Sequence, residues 1–186
     1  SFFNPSDYGM KHHVALASVR AGNVIGGGDW ALDRIIPDCI KALEAGKGID
    51  IRSPKAIRPW QHVLEPLSGY MLLATKMWEE PTKYCEGWNF GPRAESITPV
   101  WDVATDVIKN YGSGKLNDIS NSNVLHEAKL LMLDISKAKF QLGWEPRMNI
   151  HQCIELTVDW YKKYQNVDSI YMLCLNEIFK FTSYKK

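Results

Sequence analysis

The sequence has little of what membrane proteins, nucleic-acid-binding proteins and metalloproteins require. Its 186 residues carry 22 Lys and Arg against 21 Asp and Glu, and the net charge of +1 argues against a general attraction to nucleic acid or to anionic membranes. There is no apolar run near the roughly 18 residues that a spanning helix needs, and no signal peptide is recognisable. The five histidines lack metal-ligand spacing, so no metal site is expected.

The four cysteines are scattered and form no C-x-x-C pair. In a secreted protein they could form disulfides, but their apolar, helix-like surroundings favour buried thiols in a reducing compartment, the cytoplasm. With 45% hydrophobic and 11% aromatic residues, the composition indicates a globular protein with a sizeable core or a ligand cleft.

Apolar runs and helical periods alternate along the chain, which predicts an α/β fold. Residues 111–122 are polar and are expected to form a surface loop. Only four short strands are apparent, too few for a complete sheet in a compact domain. The predicted strands lie near residues 14–20, 48–52, 88–90 and 130–133, and the predicted helices near 37–46, 66–78, 98–112, 136–142, 149–161 and 169–181.

A glycine-dense segment follows the first predicted strand. Gly26-x-Gly28-x-x-Ala31 matches a dinucleotide-binding fingerprint, and Asp50 follows about 20 residues later. However, residues 20–25 separate these glycines from the strand, and Asp50 begins its own strand rather than ending it. We therefore interpret the segment as a glycine-rich substrate loop.

Two further patterns have alternative interpretations. Tyr8 and Lys11 resemble a Tyr-x-x-x-Lys catalytic pair, but their spacing is three and Gly9 weakens a helix, so a coincidental surface pair is favoured. Arg52, Lys55 and Arg58 place three cations on a proline-bearing loop. This loop is either a phosphate site, which Arg34 before a helix start could join, or merely a solvated basic loop.

No Ser/His/Asp or Cys/His arrangement has a recognisable context, so no catalytic residue is assigned. Four segments instead resemble the CDP-glucose 4,6-dehydratases of the extended short-chain dehydrogenase/reductase family. A fifth pattern, Leu-Gly-Trp-x-Pro at residues 142–146, is shared more widely among nucleotide-sugar enzymes. The four segments are residues 18–30 with Gly-Gly-Gly-Asp-Trp, 33–38 with Asp-Arg-Ile-Ile-Pro-Asp, 57–70 with Arg-Pro-Trp-Gln-His, and 87–92 with Gly-Trp-Asn-Phe-Gly-Pro.

The resemblance implies that residues 1–186 form the C-terminal, substrate-binding portion of such an enzyme. The strands near residues 14–20 and 87–92 would belong partly to its Rossmann sheet, followed by a small mixed α/β domain. The N-terminal Rossmann half would be missing, with its NAD-binding turn, its acid–base group and its Tyr-x-x-x-Lys pair. This explains the incomplete sheet.

In the family, bound NAD takes a hydride from C4 of CDP-glucose, water is lost across C5–C6, and the hydride returns to C6. The product is CDP-4-keto-6-deoxyglucose. The isolated chain is expected to be inactive and not to retain NAD. The resemblance assigns substrate binding to Asn23, Arg34, Ile35, Arg58 and His126, and cofactor binding to Arg20, Ala21 and Asn23.

Two alternatives stay open: the substrate domain of another sugar-nucleotide epimerase or dehydratase, and a non-catalytic binding or interaction module. If the Rossmann half is absent, we expect self-association or exchange of elements through the exposed sheet edge. Nucleic acid and membrane are not expected partners. The family suggests a deoxy sugar of a bacterial surface polysaccharide, such as O-antigen, as the eventual product.

Overall fold

The computed structural model describes residues 3–120 and 131–184. Within these residues, short strands alternate with longer helices. The strands are β1 (Ser18–Ala21), β2 (Asn23–Ile25), β3 (Ile49–Ile51), β4 (Ile57–Arg58), β5 (Trp60–His62), β6 (Gly87–Phe90), β7 (Thr98–Pro99) and β8 (Leu116–Asp118). The helices are α1 (Ile35–Glu44), α2 (Leu64–Glu79), α3 (Val100–Tyr111), α4 (Ile150–Lys163) and α5 (Ile170–Ser183), with a π-helical turn at Ala138–Leu142.

The strands form four two-stranded ladders rather than one sheet. Three ladders are parallel: β1 with β6, β2 with β5, and β3 with β8. The short β4 and β7 pair antiparallel. Parallel strands need a crossover connection, and here α1, α2 and α3 lie within those crossovers.

The main core packs α1, α3 and α4 around β3 and β5. Side chains such as Ile40, Val107 and Ile154 are fully buried there. The ends of the helices follow local sequence signals: Asn149 and Gln152 form a capping box at the start of α4. Gly112, with φ of 114°, terminates α3 in the left-handed conformation that glycine adopts without strain.

A second core cluster lies between β6, α2 and the π-helical turn. Trp88 and Phe90 of β6 are buried there against Leu73 and Trp144, and the Phe90 and Trp144 rings meet edge to face with centroids 5.0 Å apart. Ser68 on α2 accepts a 2.9 Å hydrogen bond from Trp144 Nε1. The Leu-Gly-Trp-x-Pro motif is therefore fastened to α2.

Glu65 connects the two clusters. Its side chain is fully buried in the first turn of α2, and Oε1 accepts the backbone N–H groups of Arg147 and Met148 at 2.8 and 2.7 Å. Met148 belongs to the main core, whereas α2 contributes to the second cluster. Desolvation raises the pKa of Glu65, opposed by the two amide hydrogen bonds and by Arg147 and Arg93.

Three expectations about strands need correction. β1 begins at Ser18, so residues 14–17 lie outside the first strand. Residues 131–133 form no strand; the Leu131 amide donates to Ile57 O, but no ladder continues. The polar stretch 111–122 contains β8, whose polar side chains are tolerated because they are exposed, Asn117 donating to Asp50 Oδ1 at 2.8 Å.

All four cysteines are free thiols, but only two match the prediction of burial. Cys39 and Cys153 are buried, and desolvation raises the pKa of each to about 12. Cys85 is half-buried and Cys174 is exposed. Across residues 3–120 and 131–184, no helix is long and apolar enough to cross a bilayer, and no cluster of side chains suits a metal ion.

Replacing Glu65 should test the connection between the clusters. Glu65→Leu leaves the Arg147 and Met148 amides buried without an acceptor and should lower the free energy of unfolding by about 2–4 kcal/mol. Glu65→Gln retains an acceptor oxygen and should cost about 1 kcal/mol or less. Urea titration measures both, with Glu79→Ala at the exposed end of α2 as the control. Wild-type stability in Glu65→Leu would contradict this role.

Candidate functional site

A cavity of about 540 Å³ opens where β2 ends and α1 begins. Its wall combines apolar groups, backbone and a few polar side chains, which is the usual make-up of a small-molecule site. The lining residues are Gly22, Asn23, Val24, Ile25, Gly26, Asp29, Asp33, Arg34, Ile35, Ile36, Pro37 and Trp60.

Close backbone packing between β2 and the segment leading into β5 shapes one side of the cavity. A Cβ at Gly22 would lie 2.3 Å from Pro59 O, so only glycine fits there. The Asn23 amide donates to the same Pro59 carbonyl at 2.8 Å. This register places Asn23 directly opposite Trp60.

The other side carries charge. Arg34 is the N-cap of α1, and its guanidinium lies 3.7 Å from Asp29. Asp33 adopts a left-handed backbone with φ of 60° and pairs with Arg52 at 2.6 Å. The Arg34 side chain makes no capping hydrogen bond to α1, so the amides of Ile35 and Ile36 and the helix dipole can interact with an anion.

The Trp60 side chain forms part of the cavity wall. The residue is 7% exposed, and its indole Nε1–H is buried with no hydrogen-bond partner within the described residues. Buried donors are normally satisfied by protein, water or ligand. The cavity wall thus combines the Arg34 guanidinium and the N-terminus of α1 with the Asn23 amide and the carboxylates of Asp29 and Asp33, groups that can bind a polar ligand with an anionic group and hydroxyls.

The glycine-rich segment, interpreted above as a substrate loop, lines the cavity through Gly26 and Asp29 and also packs against α4. A Cβ at Gly27 would lie 2.1 Å from ring carbons of Trp160 on α4. Tyr161 Oη donates to Asp29 O at 2.5 Å, and Trp30 meets the Tyr161 ring edge-on at 5.2 Å. Gly26 lines the cavity, but Gly27 and Gly28 face Trp160.

The structure brings together three of the residues predicted for substrate binding: Asn23, Arg34 and Ile35. Arg58 lies on β4, half-buried, and its Nη1 donates to Ile57 O at 2.9 Å; it is not part of the cavity wall. His126 lies outside the described residues.

Of the residues predicted for cofactor binding, Arg20 and Ala21 lie on β1, which Gly22 separates from Asn23. Arg20 is exposed and donates to Asn89 Oδ1 at 3.4 Å. Sequence reasoning missed the carboxylates of Asp29 and Asp33; their position within the five residues that precede Arg34 was the available signal.

Two sequence patterns remain: the Tyr8–Lys11 pair and the basic loop that carries Arg52, Lys55 and Arg58. Lys11 pairs with Asp7 at 3.1 Å, and the Tyr8 ring meets His13 edge-on, as expected of a coincidental pair. In the basic loop, Arg52 is engaged by Asp33.

A larger cavity, of about 630 Å³, lies between α4 and α5. Its wall carries charges of both signs. Desolvation and the nearby Asp159 raise the pKa of Glu177 to about 7, whereas the positive charges of Lys180 and Lys163 lower it. Glu177 Oε1 is buried without a hydrogen-bond partner in the described parts of the chain.

Comparison with known proteins identifies a relative. The chain matches no protein-family model. It is 45% identical to the CDP-glucose 4,6-dehydratase of Salmonella typhimurium over 183 residues, which is 98% of this chain and 51% of that protein. The chain is a relative of CDP-glucose 4,6-dehydratase. It spans about half the length of that enzyme.

Solved structures show the same fold. The dTDP-glucose 4,6-dehydratase of Bacillus anthracis, solved with NAD, superposes with a TM-score of 0.68 at 20% identity, covering 86% of this chain and 47% of that one. The UDP-glucuronic acid 4-epimerase of Bacillus cereus gives 0.67 at 22%, covering 82% and 46%. The mixed α/β fold is thus shared with about half of each of these two enzymes.

A methyl group at residue 27 should disrupt the contact between the glycine loop and α4. Gly27→Ala places Cβ within 2.1 Å of the Trp160 ring, so we expect a loss of about 2–4 kcal/mol in unfolding free energy. Gly87→Ala is the matched control, because its Cβ would meet only Ser18 Oγ at 3.5 Å. Equal stability of Gly27→Ala and Gly87→Ala would show that the Trp160 ring does not constrain the glycine-rich segment.

The protonation of Glu177 should make stability depend on pH. Its pKa rises from 4.5 to about 7 on folding, so the unfolded chain releases this proton first and stability falls as pH increases between these values. The fall should be about 1–2 kcal/mol after allowance for solvent screening. Urea titrations at pH 5 and pH 8 measure this decrease in the free energy of unfolding. The decrease should be absent from Glu177→Gln and present in Glu79→Gln.

Proposed function

We propose that the chain is the sugar-nucleotide-binding portion of a CDP-glucose 4,6-dehydratase, the enzyme that converts CDP-glucose to CDP-4-keto-6-deoxyglucose. One observation carries the proposal. Asn23, Arg34 and Ile35, which the resemblance assigns to the substrate, line a single cavity in a chain that is 45% identical to this dehydratase over 98% of its own length.

The chemistry of the wall suits a nucleoside diphosphate sugar. Arg34 and the N-terminus of α1 favour an anion, and Asn23 can exchange hydrogen bonds with a sugar hydroxyl. Arg58 is proposed for the pyrophosphate; its strand β4 is separated from Trp60 of the cavity wall by a single residue. The proposed contact of His126 near the nucleotide stays a prediction.

The described residues fit NAD only in part. Arg20 and Ala21 lead into Asn23 and could form a wall beside the nicotinamide. The glycine turn at residues 26–28 is no phosphate cradle, because the Trp160 ring packs against it. When bound in the complete enzyme, NAD would accept a hydride from the sugar and return it. Because nothing in the described residues can hold its phosphates in this way, we expect the chain alone not to retain NAD and to be inactive.

Two other functions are compatible with some of these observations. The fold is equally similar to a UDP-glucuronic acid 4-epimerase, with a TM-score of 0.67, so a sugar-nucleotide epimerase is the principal alternative. A non-catalytic binding module would use the same cavity without a reaction. The choice of nucleotide distinguishes the dehydratase from the epimerase.

The exposed face of β1 supports the expected self-association. In the described residues β1 pairs only with β6; Val19 on β1 is 40% exposed, and Leu16, two residues before the strand, is 56% exposed. Such an edge can pair with another chain. A cytoplasmic location and a role in making a surface-polysaccharide sugar complete the proposal.

Calorimetric titration of the chain with CDP-glucose tests the proposal, with UDP-glucose and dTDP-glucose as competitors. We expect selective binding of CDP-glucose and no turnover in the presence of NAD. Arg34→Ala removes a charge-assisted contact and should weaken binding by about 10–100-fold. Lys47→Ala, an exposed cation beyond the other end of α1, should have no effect.

Three results would count against the proposal. Preference for UDP-glucose would favour the epimerase. Failure of a folded chain to bind any of the three would mean that these residues do not form a site on their own. A NAD-dependent rate from the pure chain would contradict the expected inactivity.

A further inference from the structure

The cavity at the start of α1 contains an ion pair of its own. Asp29 and Arg34 both line this cavity, and Arg34 Nη1 lies 3.7 Å from Asp29 Oδ2. That distance is too long for a hydrogen bond, so the two groups attract each other without a directed contact. The Arg34 side chain is 62% exposed and the Asp29 side chain 35% exposed. A ligand that enters the cavity therefore meets both charges.

The carboxylate is the fixed partner of this pair. Asp29 Oδ1 accepts the Ala31 amide at 3.0 Å, and the Asp29 carbonyl accepts Tyr161 Oη at 2.5 Å. The next residue, Trp30, meets the Tyr161 ring edge-on, and its carbonyl accepts Lys41 Nζ at 2.8 Å. Contacts from α1 and α4 therefore hold Asp29 in place on the cavity wall.

The guanidinium is the partner that can change its contact. Arg34 makes no capping hydrogen bond to α1, and its side chain is mostly exposed. An ion pair between exposed side chains contributes little, on the order of a 2–5-fold preference for the paired state. An anion that accepts two guanidinium N–H groups makes a stronger, directed contact. Such an anion can therefore take Arg34 from Asp29.

We propose that Asp29 is an internal competitor for Arg34. In the unliganded chain the Asp29 carboxylate neutralises the guanidinium, and an anionic ligand must displace it. The inference rests on the proposed function in placing a ligand anion at Arg34, but it does not depend on which nucleotide or sugar carries that anion.

The competition has a consequence for ligand choice. Displacing Asp29 costs the same for every anion, so it lowers the affinity of the cavity for all of them. A ligand that also contacts Asn23 and the apolar part of the wall can offset this cost, whereas a simple inorganic anion cannot. Asp29 thereby helps to keep the cavity free of simple anions.

Other roles for Asp29 predict different results. If its carboxylate bound the ligand directly, its removal would weaken binding. If it only supported the loop between β2 and α1, its removal would lower stability without raising the affinity for an anion. Inorganic pyrophosphate is the deciding probe, because it offers an anion to Arg34 and no sugar hydroxyl to Asp29.

Calorimetric titration of the full chain with inorganic pyrophosphate tests the proposal. Asp29→Asn removes the charge and retains an oxygen that can accept the Ala31 amide, so we expect pyrophosphate to bind about 2–5-fold more tightly than to the wild type. Asp102→Asn is the matched control. Asp102 is an exposed acid in the first turn of α3 and does not line the cavity, so this variant should bind like the wild type.

Urea titration of the unliganded chain shows whether Asp29 acts through Arg34. Asp29→Asn and Arg34→Ala each remove the same ion pair. The double variant should therefore raise the unfolding equilibrium constant less than the product of the two single effects, by about 2–5-fold. Circular dichroism establishes that each variant is folded. Asp29→Ser, which can also accept the Ala31 amide, replaces Asp29→Asn if that variant is not.

Unchanged or weaker pyrophosphate binding by Asp29→Asn overturns the proposal. So does an equal gain in Asp102→Asn, the absence of coupling between Asp29 and Arg34, or the failure of both the wild type and Asp29→Asn to bind pyrophosphate. CDP-glucose separates this inference from the proposed function. If pyrophosphate binds as expected and CDP-glucose does not bind, the competition is supported and the proposed function is contradicted.

Discussion

The carboxylate of Glu65 joins the two parts of the core, and much of the remaining arrangement depends on that connection. It accepts two backbone amides from the segment that carries Trp144 on one side and Met148 on the other. Apolar packing alone would leave these amides buried without partners. That would lower the free energy of unfolding by about as much as the loss of a buried side-chain contact. A buried acid is thus the means by which α2 is fastened to the segment that precedes α4.

This connection also sets the position of the candidate site. α2 follows directly from β5, which carries Trp60, while α4 carries the aromatic rings that hold the glycine loop. The β5 wall of the cavity and the glycine loop beside it therefore lie next to α2 and α4, and Glu65 fastens α2 to the segment that precedes α4. A cavity built in this way can be well ordered although β2 and β5 contribute only three residues each.

Much of the fold could be predicted from local sequence signals, whereas the site could be predicted only in part. Asn149, Ser169 and Gly112 mark helix ends through their own hydrogen bonding or backbone conformation, and the helices lie close to where these residues place them. β8 was missed because Asn117 and Asp118 are polar and their strand is recognisable only from its pairing with β3. Asn23 and Arg34 were found through family resemblance; the role of Gly27 depends on Trp160, which is remote in sequence and gives no local signal.

The parallel ladders have a consequence for how the chain reaches its native state. Ser18 must find Gly87, Asn23 must find Trp60, and Ile49 must find Leu116, so every parallel pair closes a long loop before it gains its hydrogen bonds. Such non-local pairing slows folding and prolongs the lifetime of unpaired strands. During synthesis at about 5–20 residues per second, β1 would wait for several seconds before β6 exists, a period in which chaperones and neighbouring nascent chains compete for it.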